Sequence, residues 1–93
     1  MATNAAAMNE YEDRHWRVLA HCLKQRRHTA GLSQHVLADR SGLSVSEIQH
    51  IEHGRRHPKT GTQKRLCAAF GISHLELMSE VERVEREWES RGL

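Results

Sequence analysis

Residues 33–54 read SQHVLADRSGLSVSEIQHIEHG. The stretch holds two short helices. Ser33 is placed to cap the first, roughly Gln34 to Ser41, which buries Leu37 and Ala38. Gly42 ends that helix and supplies the positive φ that turns the chain within about three residues. Ser44 caps the second, and Glu47, three residues on, completes a capping box. Ile48 and Ile51, with Leu43 and Val45 beside them, are its apolar positions, and Gly54 closes it. Ala38 is small, as a close crossing of the two helices requires.

Working outward, Trp16, Leu19 and Leu23 recur at helical spacing with Cys22 beside them, which predicts a first helix from about Asp13 to His28, ended at Ala30-Gly31. Pro58 separates the quoted stretch from a fourth helix, starting at about Thr60 or Thr62 and running to Phe70, with Leu66, Cys67, Ala69 and Phe70 buried. Gly71 ends it. Ser73 and Glu76 form a second capping box, and no Gly or Pro interrupts the chain again before Gly92, so a long fifth helix reaches about Glu89. The expected fold is all-α: five helices with an extended C-terminal one. Residues 1–12 are expected to be a disordered or loosely ordered N-terminal arm, 13–78 the domain proper and 79–93 a helical extension for dimerisation.

Composition narrows the function classes. The chain has 93 residues, enough for one domain, with 4% aromatic residues and one Pro. No stretch approaches a membrane span, and Met1–Met8 lack the basic start and apolar middle of a signal peptide, so a cytoplasmic protein is expected. Cys22 and Cys67 each sit in an apolar stripe and read as two buried free thiols rather than a disulfide. The net charge is +2, unevenly spread. Residues 1–13 carry three acids and no Lys or Arg, for −3, and residues 71–93 carry three Arg against six Glu, for −3. Residues 14–70 carry eleven Lys/Arg against Asp39, Glu47 and Glu52, for +8. A basic middle between acidic ends is the footprint of a polyanion-binding module.

Two short helices joined by a Gly-containing turn make a helix-turn-helix unit, whose second helix packs by one face and offers the other to a major groove. From Leu19 to Leu75 the sequence resembles the Cro/C1-type (XRE-like) helix-turn-helix regulators. The resemblance is carried by Arg27, Gly31-Leu32-Ser33-Gln34, Leu37-Ala38, Ser41-Gly42-Leu43-Ser44, Ile48, Ile51-Glu52-x-Gly54-x-x-x-Pro58 and Leu66-Cys67-Ala68-Ala69-Phe70-Gly71-Ile72. It implies a phage-repressor-like five-helix bundle. It also implies that Val45, Ser46, Gln49 and His50 read bases, that Gln34 bonds a DNA phosphate, and that Arg27 and Glu52 form an ion pair setting the angle of the recognition helix. The basic residues that follow that helix extend the expected phosphate set to Gln34, Ser44, Arg55, Arg56, Lys59 and Thr60; Arg40 and Lys64 read as solvated charge. The chain departs from the family pattern at Arg26, at Gly61 and at Gln63, where an apolar residue is usual, so the front of the fourth helix is expected to pack less well.

Leu77, Val81, Val84 and Trp88 are spaced 4, 3 and 4 apart, a coiled-coil-like seam. Two readings stand: a dimer interface, or packing against Trp16 and the N-terminal arm of the same chain. The functional expectation is a regulator, a repressor or autoregulator, that binds double-stranded DNA as a homodimer on a palindromic operator. The alternative is an antitoxin-like adaptor that takes a protein partner on the Leu77–Trp88 stripe. Eight His make no metal-binding set, because His50, His53 and His57 straddle a helix end and no Cys or carboxylate joins them. No catalytic constellation, cofactor, metal or small-molecule effector is expected.

Overall fold

The computed structural model describes residues 5–93, with side chains from residue 12 onward. Its order is α1 (Ala5–Thr29), α2 (Gln34–Ser41), α3 (Val45–Glu52), α4 (Thr60–Phe70) and α5 (His74–Ser90), and among the described residues there is no strand. The all-α, five-helix architecture is therefore as expected. Local chemistry sets most of the boundaries. The Ser33 hydroxyl accepts the Val36 N–H at 3.1 Å, and both capping boxes close, Ser44 with Glu47 and Ser73 with Glu76. Gly42 takes φ 74°, a left-handed conformation that a side chain would strain, and its N–H returns to the Ala38 carbonyl.

One core serves all five helices. Val18, Leu19, Cys22 and Leu23 of α1 meet Leu37 and Ala38 of α2, Ile48 and Ile51 of α3, Leu66 and Cys67 of α4, and Leu77, Val81 and Val84 of α5. Both cysteines are free and buried. Burial, reinforced by the negative charge of Glu80, pushes the Cys22 thiol up to about 12, and burial raises Cys67 as well. No helix among the described residues is long and apolar enough to cross a membrane.

Three expectations need correction. First, α1 begins at Ala5, well before Asp13. Of the expected arm, residues 1–4 lie outside the described residues, and from Ala5 the chain is helical. Ala5, Ala6 and Ala7 have the highest helix propensity of any residue type, so the helix continues outward without needing an apolar stripe. Its 25 residues span about 37 Å.

Second, the Leu77–Trp88 seam is not a free surface. Leu77, Val81 and Val84 are buried, Val81 to 1% exposure, and Trp88 is half-buried against the same core. The long α1 lies along α5 and covers it; His21 meets the Trp88 ring with centroids 5.5 Å apart. Polar contacts flank the seam, Arg26 Nε to Glu80 Oε2 at 2.9 Å and His15 Nδ1 to Glu85 Oε1 at 2.6 Å. The assignment of Leu77, Val81, Val84 and Trp88 to dimerisation is therefore overturned. So is the foreign-chain docking that the adaptor reading placed there. Residue 79 is no boundary either, since α5 runs through it and its second half belongs to the core.

Third, Gln63 does not loosen α4. It is buried, its Nε2 donates to the Pro58 carbonyl at 3.0 Å, and its Oε1 accepts from His74 Nε2 at 2.8 Å. Two well-made hydrogen bonds replace the apolar contact that the family pattern supplies here.

Candidate nucleic-acid interface

The interface is built on α3. Ile48 and Ile51 anchor one face of this helix in the core, which turns Ser46, Gln49 and His50 to solvent. Val45 differs from those three: it is half-buried and packs on the core. As the first residue of the helix it shares the inward side with Ile48, so only part of it is left for a base edge.

A chain of polar contacts locks α3 to the rest of the bundle. Arg27 of α1 donates to Glu52 twice, Nε to Oε2 at 2.7 Å and Nη2 to Oε1 at 3.0 Å. Its Nη1 also donates to the Leu32 carbonyl at 2.9 Å. Glu52 Oε1 accepts a further bond from Gln34 Nε2 at 3.1 Å, and Gln34 Oε1 accepts from Gln49 Nε2 at 3.3 Å. Burial alone would raise the Glu52 carboxyl. The hydrogen bonds from Arg27 and Gln34, together with the Arg27 charge, outweigh it and hold the group below its ordinary value. The expected Arg27–Glu52 pair is thus in place. The link from Gln34 to Gln49 was not foreseen, because the two residues are 15 apart and no local pattern marks them.

Around α3 the expected phosphate contacts fall into two groups. Arg55, Arg56 and Lys59 are exposed in the α3–α4 loop, with Arg56 Nη1 also 3.5 Å from Glu47 Oε2. The loop's start is fixed to α3, since the Arg55 and Arg56 N–H groups both donate to the His50 carbonyl at 2.8 and 3.2 Å. Thr60 opens α4, whose N-terminus carries no side-chain cap, so its first N–H groups stay open to an anion. Gln34 and Ser44 are more committed. Gln34 has one amide N–H left after its bonds to Glu52 and Gln49, and the Ser44 oxygen accepts the Glu47 N–H at 3.0 Å while its hydroxyl can still donate. Among the described residues, no three His, Cys, Asp or Glu side chains are grouped to hold a metal.

This arrangement has known counterparts. Residues 18–81 match the model of the helix-turn-helix domain family. Over 53 residues the chain is 40% identical to y4dJ of Sinorhizobium fredii, described as an uncharacterized HTH-type transcriptional regulator; the match covers 57% of this chain and 69% of that one. It is 38% identical over 61 residues to the HTH-type transcriptional regulator PuuR of Escherichia coli, covering 66% of this chain. The match spans only 33% of the PuuR length. The crystal structure of the clp gene regulator ClgR from Corynebacterium glutamicum aligns with a TM-score of 0.78 over 84% of this chain and 83% of that one. At 20% identity the likeness to ClgR is one of fold.

Proposed function

The chain belongs to the helix-turn-helix family of DNA-binding transcriptional regulators, and from that premise we propose that it represses transcription by laying α3 in the major groove of a palindromic operator as a homodimer. The observation that carries the reading is the division of α3 into a buried Ile48–Ile51 face and an exposed face of Ser46, Gln49 and His50. Its role is binding, not catalysis.

Base readout falls to Ser46, Gln49 and His50, with a partial apolar contact from Val45 to a thymine methyl group. Gln49 is preorganised for this work. Gln34 already takes one of its amide N–H groups, which leaves one N–H and the carbonyl for a base edge, the donor and acceptor that an adenine matches. The second Gln34 N–H goes to a phosphate. Arg55, Arg56, Lys59, Thr60 and the Ser44 hydroxyl complete the backbone contacts, which set register without reading sequence.

A second copy docks on the outer side of α5. Leu75 is 76% exposed there, in a groove it shares with Glu76, Ser79, Arg83 and Arg86 and with the Arg26–Glu80 pair. An antiparallel crossing of two such helices near Ser79 covers Leu75. On a palindrome the two recognition helices of the dimer must meet half-sites about 34–36 Å apart. Clamped on a promoter, it would exclude polymerase.

The test is a footprint on the DNA upstream of the protein's own gene, with duplex affinity followed against salt. A symmetric footprint and a steep loss of affinity with salt support the reading, since neutralised phosphates release counterions. Binding that ignores salt, or none to any duplex, overturns it.

A further inference from the structure

His57, in the middle of the α3–α4 loop, lies flat on the indole of Trp16, with ring centroids 4.4 Å apart and planes 4° from parallel. On α1 itself, His15 meets Trp16 edge-on at 5.2 Å and 72°, and its Nδ1 reaches Glu85 Oε1 of α5 at 2.6 Å. Contacts therefore run from α5 through α1 to the loop. Trp16 lies two residues before 18–81, the part matched by the family model, and His57 lies within it.

The loop so anchored carries Arg55 and Arg56 before His57 and Lys59 after it. Its two ends are already fastened. Arg55 and Arg56 donate their N–H groups to the His50 carbonyl, and the Pro58 carbonyl accepts from Gln63. What these bonds leave free is the middle of the loop, where the stack ties it to α1. A loop that is ordered before binding spares the complex the entropy of ordering it.

We propose that Trp16 and His57 are a positioning pair for backbone binding: their stack holds the α3–α4 loop so that Arg55, Arg56 and Lys59 meet the DNA phosphates already in place. Neither ring touches DNA in this role. The inference rests on the DNA-binding reading above, and its test separates the two.

Duplex affinity and its salt slope are measured for the unsubstituted chain, His57→Ala, His57→Phe and Trp16→Leu, with a thermal melt of each to confirm folding. His57→Ala and Trp16→Leu should each weaken binding roughly three- to tenfold, the worth of one aromatic stack. Both should flatten the salt slope, because a loosened loop engages fewer phosphates. His57→Phe, which keeps a flat ring but neither charge nor N–H, should restore affinity and slope. In a Trp88→Phe background, which leaves Trp16 the sole tryptophan, emission should move to the red for His57→Ala and stay in place for His57→Phe. If His57→Phe binds as weakly as His57→Ala while the emission shows the stack intact, His57 touches phosphate directly and the positioning role is overturned. Unchanged binding and slope in His57→Ala overturn it too. If the unsubstituted chain binds no duplex, the DNA-binding reading fails and takes this inference with it.

Discussion

Arg27 grips Glu52 through two parallel hydrogen bonds, at 2.7 and 3.0 Å, with 10% and 4% of the two side chains exposed. The pair joins α1 to the last residue of α3. Desolvation offsets most of the attraction in such a pair, so its main product is geometry, the angle at which α3 leaves the core. Removing one partner is another matter, because the other charge is then stranded. Glu52→Gln should cost on the order of 3 kcal/mol in a urea melt at neutral pH. A loss of only a few tenths would mean that water reaches Arg27 freely.

The same pair dictates an acid response. The folded Glu52 carboxyl titrates below its ordinary value of 4.5. The unfolded chain therefore binds this proton first as pH falls. The stabilisation from Glu52 is complete above about 4.5 and is lost as pH drops through the lower, folded value. Stability measured from pH 6 down to pH 3 should fall more steeply for the unsubstituted chain than for Glu52→Gln. Parallel curves would remove Glu52 from the acid response.

Cys22 and Cys67 should be inert in the native state. With Cys22 pushed up to about 12, almost none of it is thiolate at pH 8, and both sulfurs are buried. An aromatic disulfide reagent should titrate two thiols in denaturant and almost none without it. Rapid native labelling would show that the α1–α5 contact opens readily.

How much of this was legible in the sequence depends on how far apart the interacting residues lie. The capping boxes Ser44–Glu47 and Ser73–Glu76 and the turn at Gly42 could be read directly, because each is settled within a few residues. The Arg27–Glu52 pair came from the family resemblance, since no spacing rule joins two residues 25 apart. The α5 stripe was legible as a stripe, but its partner was not. Periodicity says which face of a helix is apolar and is silent about what covers it; here residues 15–26 of α1 do. Gln63–His74 and His57–Trp16 left no sequence signal, because single polar or aromatic contacts between elements have no period.

Base readout and backbone binding should come apart under mutation. Ser46→Ala and His50→Ala should each cost roughly 1–3 kcal/mol at particular base pairs and leave non-specific binding nearly unchanged. Arg55→Ala should weaken binding to all duplexes alike and lower the salt slope by about 1. Binding selections on randomised duplexes, repeated at two salt concentrations, separate the effects. Unaltered sequence preference in both α3 variants would move readout away from this helix.

The two faces of α5 should respond oppositely to charge. On the inner face, Val81 and Val84 are core residues, so cutting the chain at residue 79 strips side chains worth roughly 1.5–3 kcal/mol each when buried. It also bares Leu19 and Cys22 of α1. For a domain whose whole stability is on the order of 5–15 kcal/mol, that loss should leave the truncated chain unfolded or close to it. Val84→Asp should do much the same by burying an unpaired carboxylate. On the outer face, Leu75 is exposed and supports no core contact, so Leu75→Glu should melt within about 0.5 kcal/mol of the unsubstituted chain. That variant should nonetheless sediment as a monomer, with a carboxylate placed where the second copy must close over an apolar side chain. Its operator affinity should fall steeply, because each half-site then binds without the benefit of tethering. A Leu75→Glu protein that stays dimeric puts the interface elsewhere than the outer side of α5. A truncated chain that folds normally would mean that α1 does not need α5 to complete its core.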